Sequence, residues 1–175
     1  LSDAIDDTLI GNQMFKRNQI VKEFIDFESL QIKVKSSILA EVILDKIVDG
    51  AIIEKVMAKT FLNFDKKRHN FNYRRVLRSL LSYANMQRVL NHNDPKYKSI
   101  IVEFFEDVRQ CAFCQNNPHY WLQYAIVKLD DRDFPLAETF FKNAYSFAAK
   151  KDSFDTYQID NHFARFLLEN EINSG

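Results

Sequence analysis

Cys111 and Cys114, with His119 five residues beyond the second, are the first residues of this 175-residue chain whose types and spacing suggest chemistry. A Cys-x-x-Cys pair holds zinc when a second ligand pair completes a tetrahedral set, and as thiolates it exchanges disulfides. The chain has no further cysteine to complete such a set. No strand-helix-strand pattern surrounds the pair, as a redox motif requires. The spacing puts both thiols on one face of a helix end, where free cysteine packs as a small apolar residue. They are read as packing residues, and neither a metal nor a cofactor is expected.

Acid-base chemistry fares no better. The four histidines stand singly, and His162, beside Asp160 and near Arg165, is the most suggestive. Asp160, Asn161 and His162 are neighbours on a helix, so they point in different directions and cannot converge. Asp160 and Arg165 are read as surface contacts or as polar closures between helices. With glycine only at 11, 50 and 175, there is no Gly-rich phosphate loop. No catalytic residue is assigned; a small enzyme with an unrecognised site is one alternative reading.

Charge is more informative. Between Lys66 and Lys98 stand nine basic residues, Lys66, Lys67, Arg68, Arg74, Arg75, Arg78, Arg88, Lys96 and Lys98, against the single acid Asp94. The residues on either side are net negative, so the middle of a chain with no net charge presents a basic strip between acidic ends. With Phe71 and Tyr73 interleaved, the strip has the composition of a nucleic-acid contact, where cations meet phosphate and rings stack on bases. The competing reading is a solvated face that pairs with the acidic flanks. The favoured expectation is that Lys66, Lys67, Arg68, Arg74, Arg75 and Arg78 meet an acidic surface of a protein partner or of other domains of the same chain.

These residues must be positioned by helices. Three Gly and three Pro are too few for the turns of an all-β fold, and 46% hydrophobic content supplies a core. Met14, Ile20, Val21, Phe24, Ile25 and Phe27 suggest a first helix ending before the Gln31 to Lys35 alternation, and Ile38 to Ile47 a second, with Gly50 as the break after it. Ile52 to Phe64 make a third, and Val76, Leu77, Leu80, Leu81, Ala84 and Val89 a fourth. Asp94-Pro95 and Asn117-Pro118 each read as an N-cap followed by Pro at the first helical position. A last helix runs from about Thr156 to Asn170. No run approaches the ~18 apolar residues of a membrane span, and no basic-then-apolar leader opens the chain, so a cytoplasmic protein is expected. The start at Leu1 suggests a piece of a longer protein.

The stretch from Asn117 to Ala149 carries a repeat signature. Trp121 and Ala125 lie one turn apart on a first helix, and Ala137, Phe141 and Ala144 recur at spacings of four and three on a second. Arg132-Asp133-Phe134 fills the turn between them. The segment resembles one tetratricopeptide repeat, a helix pair of about 34 residues. Ala125 stands where the family usually has Gly, Lys128 where it has a later aromatic, and Ala149 where it has Pro. Phe163-Ala164 repeats the Tyr124-Ala125 pair, so the last helix reads as the start of another repeat or as a cap. The resemblance implies an all-α solenoid of stacked helix pairs that holds a partner in its groove, near Tyr120, Tyr124 and Tyr157.

The strings NPHYWLQYAIVKL and FDTYQIDNHFARFLLE are similar to the tail of large bacterial proteins in which a switch module of the signal-transduction ATPase type is followed by helical repeats. Some of those proteins carry a sirtuin-like or nuclease effector and act in defence against phage. The resemblance implies that catalytic modules lie upstream and that this chain is the sensor or scaffold arm. Residues 1–92 are then an N-terminal helical segment carrying the basic strip 66–88, and 93–175 the tetratricopeptide-like region. The partner expected is a protein or an upstream domain, with no membrane and an oligomer allowed; a helical domain contacting nucleic acid through 66–98 is the other alternative.

Overall fold

The computed structural model describes residues 25–26, 33–34, 49–66, 69, 71–90, 96–151 and 154–174. Among them the fold is all-α apart from one short ladder, in which β1 (Ile25–Asp26) pairs antiparallel with β2 (Lys33–Val34). This corrects the first helix read from the sequence at Ile25 and Asp26, which are extended. The period-two alternation of Ile32 to Lys35 favours a strand, and Ile25 pairs opposite Val34. The rest of that helix, and the second one over Ile38 to Ile47, lie outside the described residues.

Among the described residues eight helices follow: α1 (Gly50–Asp65), α2 (Phe71–Leu81), α3 (Tyr83–Val89), α4 (Tyr97–Val108), α5 (Ala112–Gln115), α6 (Pro118–Asp130), α7 (Phe134–Ala148) and α8 (Tyr157–Ser174). Gly50 opens α1, because the Asp49 carboxylate accepts from Ala51 N at 2.8 Å and caps the helix there. The fourth helix of the sequence reading is broken in two. Ser82 is extended, with ψ of 115°, which frees the Tyr83 N–H to donate to Gln123 Oε1 on α6 at 2.9 Å. A bond made 40 residues away thus ends a helix that its own apolar pattern would continue. α4 begins at Tyr97, with Lys96 at the cap position, two residues later than the Asp94-Pro95 signal implies.

The Asn117-Pro118 signal is met in full: Asn117 Oδ1 accepts from His119 N at 3.0 Å, and Pro118 opens α6. Between α6 and α7, Asp133 N donates to Lys128 O and Arg132 N to Leu129 O, the paired bonds of a Schellman ending. That ending needs a left-handed residue, and Arg132 takes it with φ of 59°. A non-glycine residue there costs about 1 kcal/mol, which the pairing of α6 and α7 offsets.

One core runs through the helices from Ile53 to Phe166. Much of it is aromatic: Phe61 meets Phe104 and Phe113 edge-on, Phe105 stacks on Tyr124, and Tyr124 stacks on Phe140. α1 packs on α4, and α6 touches α2, α3, α4, α7 and α8. The division at residue 92 therefore falls inside a shared core.

α7 uses two faces. Phe140 and Phe147 meet Trp121 of α6, while Phe134, Phe141 and Tyr145 meet Phe163 and Phe166 of α8. Ala125, Ala137 and Ala144 are wholly buried. Trp121 thus packs on the neighbouring helix of its pair, whereas the ring partners of Phe141 belong to α8.

Candidate functional site

The thiols sit in the core. Cys111 occupies the N-cap position of the one-turn α5 and Cys114 its third residue, and both are free and buried. The Asp65 carboxylate, from the end of α1, accepts from Ala112 N at 3.2 Å and Phe113 N at 2.8 Å and so caps α5. Burial and then that carboxylate push the Cys111 thiol up to about 11, and burial pushes Cys114 up further. Both are protonated at neutral pH, the opposite of what a nucleophile needs. His119 Nε2 is buried, and burial holds the ring below its ordinary pKa. Among the described residues no group of three or more His, Cys, Asp and Glu lies together to hold a metal.

One acidic group is out of place in the core. Glu54 on α1 is 4% exposed, and its Oε1 has no hydrogen-bond partner. Burial, then Asp107 and Glu103 on α4, raise its pKa above the ordinary 4.5. A group raised on folding favours the folded state fully below pH 4.5 and loses that contribution as pH climbs through its folded value. At neutral pH the carboxylate therefore works against the fold. Glu54→Gln removes that charge and keeps the shape, and is expected to stabilise the chain at pH 7 by on the order of 1 kcal/mol. Thermal melts at pH 7 and pH 4 check this: the gain should shrink at the lower pH, and a gain independent of pH would assign it to packing.

The three tyrosines expected around a groove do not lie together on the surface. Tyr120 and Tyr124 are 0% and 1% exposed, because α6 is covered on several sides by other helices. Their hydroxyls are spent inside, Tyr120 Oη donating to Phe105 O at 2.9 Å and Tyr124 Oη to Glu106. Tyr157, in the first turn of α8, is 66% exposed. Tyr120 and Tyr124 are core residues, which corrects their assignment as partner-binding groups.

A polar cleft of about 370 Å³ opens instead where α3, α6 and α8 meet. Gln87 of α3, Gln123 of α6, and Gln158 and Asn161 of α8 line it with carboxamides, and Ile126 supplies an apolar patch. Charge in the cleft is fixed in place. Arg165 donates to Asp130 Oδ1 at 2.7 Å and to Glu169 Oε1 at 2.6 Å, so α8 is tied across to the end of α6. Tyr83 also faces Asp130, and burial followed by that carboxylate pushes its phenol up. Burial and then the Arg165 charge hold His162 below its ordinary pKa, so its ring is neutral at pH 7, with one donor and one acceptor nitrogen. Asp160 points elsewhere, accepting from Tyr145 Oη at 2.7 Å and Thr156 Oγ1 at 3.0 Å.

Of the basic strip, Lys66, Arg74, Arg75 and Arg78 are exposed, and Lys67 and Arg68 lie outside the described residues. Lys98 pairs with Asp131 at 3.4 Å, as the solvated-face reading expects. Tyr73 packs on Phe64, with ring centroids 4.8 Å apart, which leaves Phe71 as the available ring.

Sequence reasoning passed over Gln87, Gln123 and Gln158. Single glutamines on different helices carry no spacing signal, and only the meeting of α3, α6 and α8 brings them together. No protein family, curated protein or solved structure matches the chain. No described helix is long and apolar enough to cross a membrane.

Proposed function

We propose that this chain is a protein-interaction arm, a sensor or scaffold part of a larger bacterial protein working in the cytoplasm, and that it holds an extended peptide segment in the α3-α6-α8 cleft. The segment belongs to a protein partner or to another domain of the same polypeptide. The observation that carries the reading is the lining of the cleft. Gln158 and Asn161 each offer a donor and an acceptor, as a peptide backbone does, and the Asp130 and Arg165 charges of the lining are paired with each other. A cleft with little free charge and many paired donors and acceptors suits main-chain recognition, and its volume is in the range of binding pockets. The tetratricopeptide-like resemblance, with its solenoid of stacked pairs, supports the same role, and the signal-transduction ATPase resemblance supports an antiphage setting in which catalysis belongs to other modules.

Selection of displayed random peptides on the immobilised chain tests this. It should return a family of binders whose affinity falls about tenfold, ~1.4 kcal/mol, in Gln158→Leu and Asn161→Leu. Both positions are exposed, so the melting temperature should hold. Failure to enrich any family, or binders indifferent to both substitutions, would remove the cleft as the recognition site.

A further inference from the structure

α2 carries a feature that the cleft does not use. Its buried face is Leu77 and Leu81, with Tyr73 and Leu80 partly covered. Phe71, Arg74, Arg75 and Arg78 follow at i, i+3, i+4 and i+7, the spacing of one helix face, and all four are exposed. Phe71 is 77% exposed, an uncommon position for so large a ring. Among the described residues none of the three guanidiniums has an acidic partner, whereas Lys98, Arg109, Lys142 and Arg165 are all ion-paired. A fourth cation joins them from distant sequence. Lys151, in the turn after α7, is held below its ordinary pKa by burial and then by the charges of Arg78 and Arg74.

We infer that this ridge, Phe71 with Arg74, Arg75, Arg78 and Lys151, binds single-stranded nucleic acid, the cations on phosphate and the ring against a base. Four like charges with no acidic partner among the described residues are matched by a polyanion, and the ridge spans ~10 Å along α2 at ~1.5 Å per residue. Charge alone would fit an acidic protein equally well. The exposed Phe71 among guanidiniums decides between them, because base stacking on an aromatic platform beside a cationic track is how strands are held without sequence preference. Duplex offers the cations the same phosphates but keeps its bases inside the stack, so it cannot use the ring. The inference is independent of the cleft: the ridge and the cleft share no residue.

Fluorescence anisotropy of the whole chain with labelled oligothymidylate and oligouridylate of about 16 nucleotides tests it. Binding should weaken steeply between about 50 and 200 mM salt, with a log-log slope near −3 for four phosphate contacts. Arg74→Ala with Arg78→Ala should reduce that slope by roughly 1.4. Phe71→Ala should weaken single-strand binding about fivefold or more and leave duplex binding unchanged. Circular dichroism should be the same for all variants, since every substituted side chain is exposed. Undetectable binding at the lower salt, or binding indifferent to both variants, would overturn the inference. So would poly-glutamate binding as tightly as the oligonucleotides and insensitively to Phe71→Ala, which would make the ridge a dock for an acidic protein.

Discussion

Phe141→Ala is expected to cost about 3 to 5 kcal/mol, the range for truncating a buried aromatic. Phe141 has no exposed surface, and its ring meets Phe163 edge-on at 5.6 Å and Phe166 at 5.7 Å. Those two rings stack on each other at 5.5 Å, so a single truncation opens a hole under both. Little else is available to close it. Apart from this cluster α8 is attached by Ile159, by the Tyr145 to Asp160 hydrogen bond and by the Arg165 to Asp130 ion pair, and exposed polar contacts contribute ~1 kcal/mol or less each. Urea unfolding gives the loss directly. A loss below about 1 kcal/mol would mean that the site collapses freely or that α8 does not depend on α7.

The α6-α7 pair was legible because its signals are local. Asn117-Pro118 starts a helix through its own side chain and ring, and Asp133 caps the next by accepting from Leu136 N at 3.3 Å. Small and aromatic residues at spacings of three and four then name the contact face. The break at Ser82 was not legible, because it depends on Gln123, and α5 begins where it does because Asp65 reaches it from 47 residues away. Burial of Tyr120 and Tyr124 was missed for a related reason. Periodicity finds a face, but α6 is enclosed on more than one, and a tyrosine whose hydroxyl finds a carbonyl or carboxylate is at home in a core.

The two candidate surfaces divide along the same line. The ridge on α2 comes from one helix, so Phe71, Arg74, Arg75 and Arg78 could be placed together from spacing, and only Lys151 required the fold. The cleft comes from three helices. Of its lining, Asn161, His162 and Arg165 stood out in the sequence, but as neighbours on α8 with no view of what they face. Asp130 pairs with Arg165 across 35 residues and converts a free cation into a brace, which removes the charge that had made the His162 region suggestive of catalysis.

Ala137→Leu is the second large effect, in the opposite sense of volume. Ala137 has no exposed surface and lies on the face of α7, with Phe140, Ala144 and Phe147, that meets α6. Trp121, Tyr124 and Phe140 are already in ring contact there, at 5.4 Å and 4.5 Å, and α6 is held on its other sides by α2, α3 and α4. Three added carbons force either a shift of α7 or strained rotamers. Overpacking of this kind costs about 1 to 3 kcal/mol, and the enclosed setting argues for the upper end. Trp121 is the only tryptophan, so its emission reports on the contact itself: separation of the helices should shift it to longer wavelength before global unfolding. Leu136→Ala, one residue away on a side chain 40% exposed, is the control and should stay within about 0.5 kcal/mol. If Ala137→Leu is as mild as that control and leaves the Trp121 emission unmoved, α6 and α7 do not meet at Ala137.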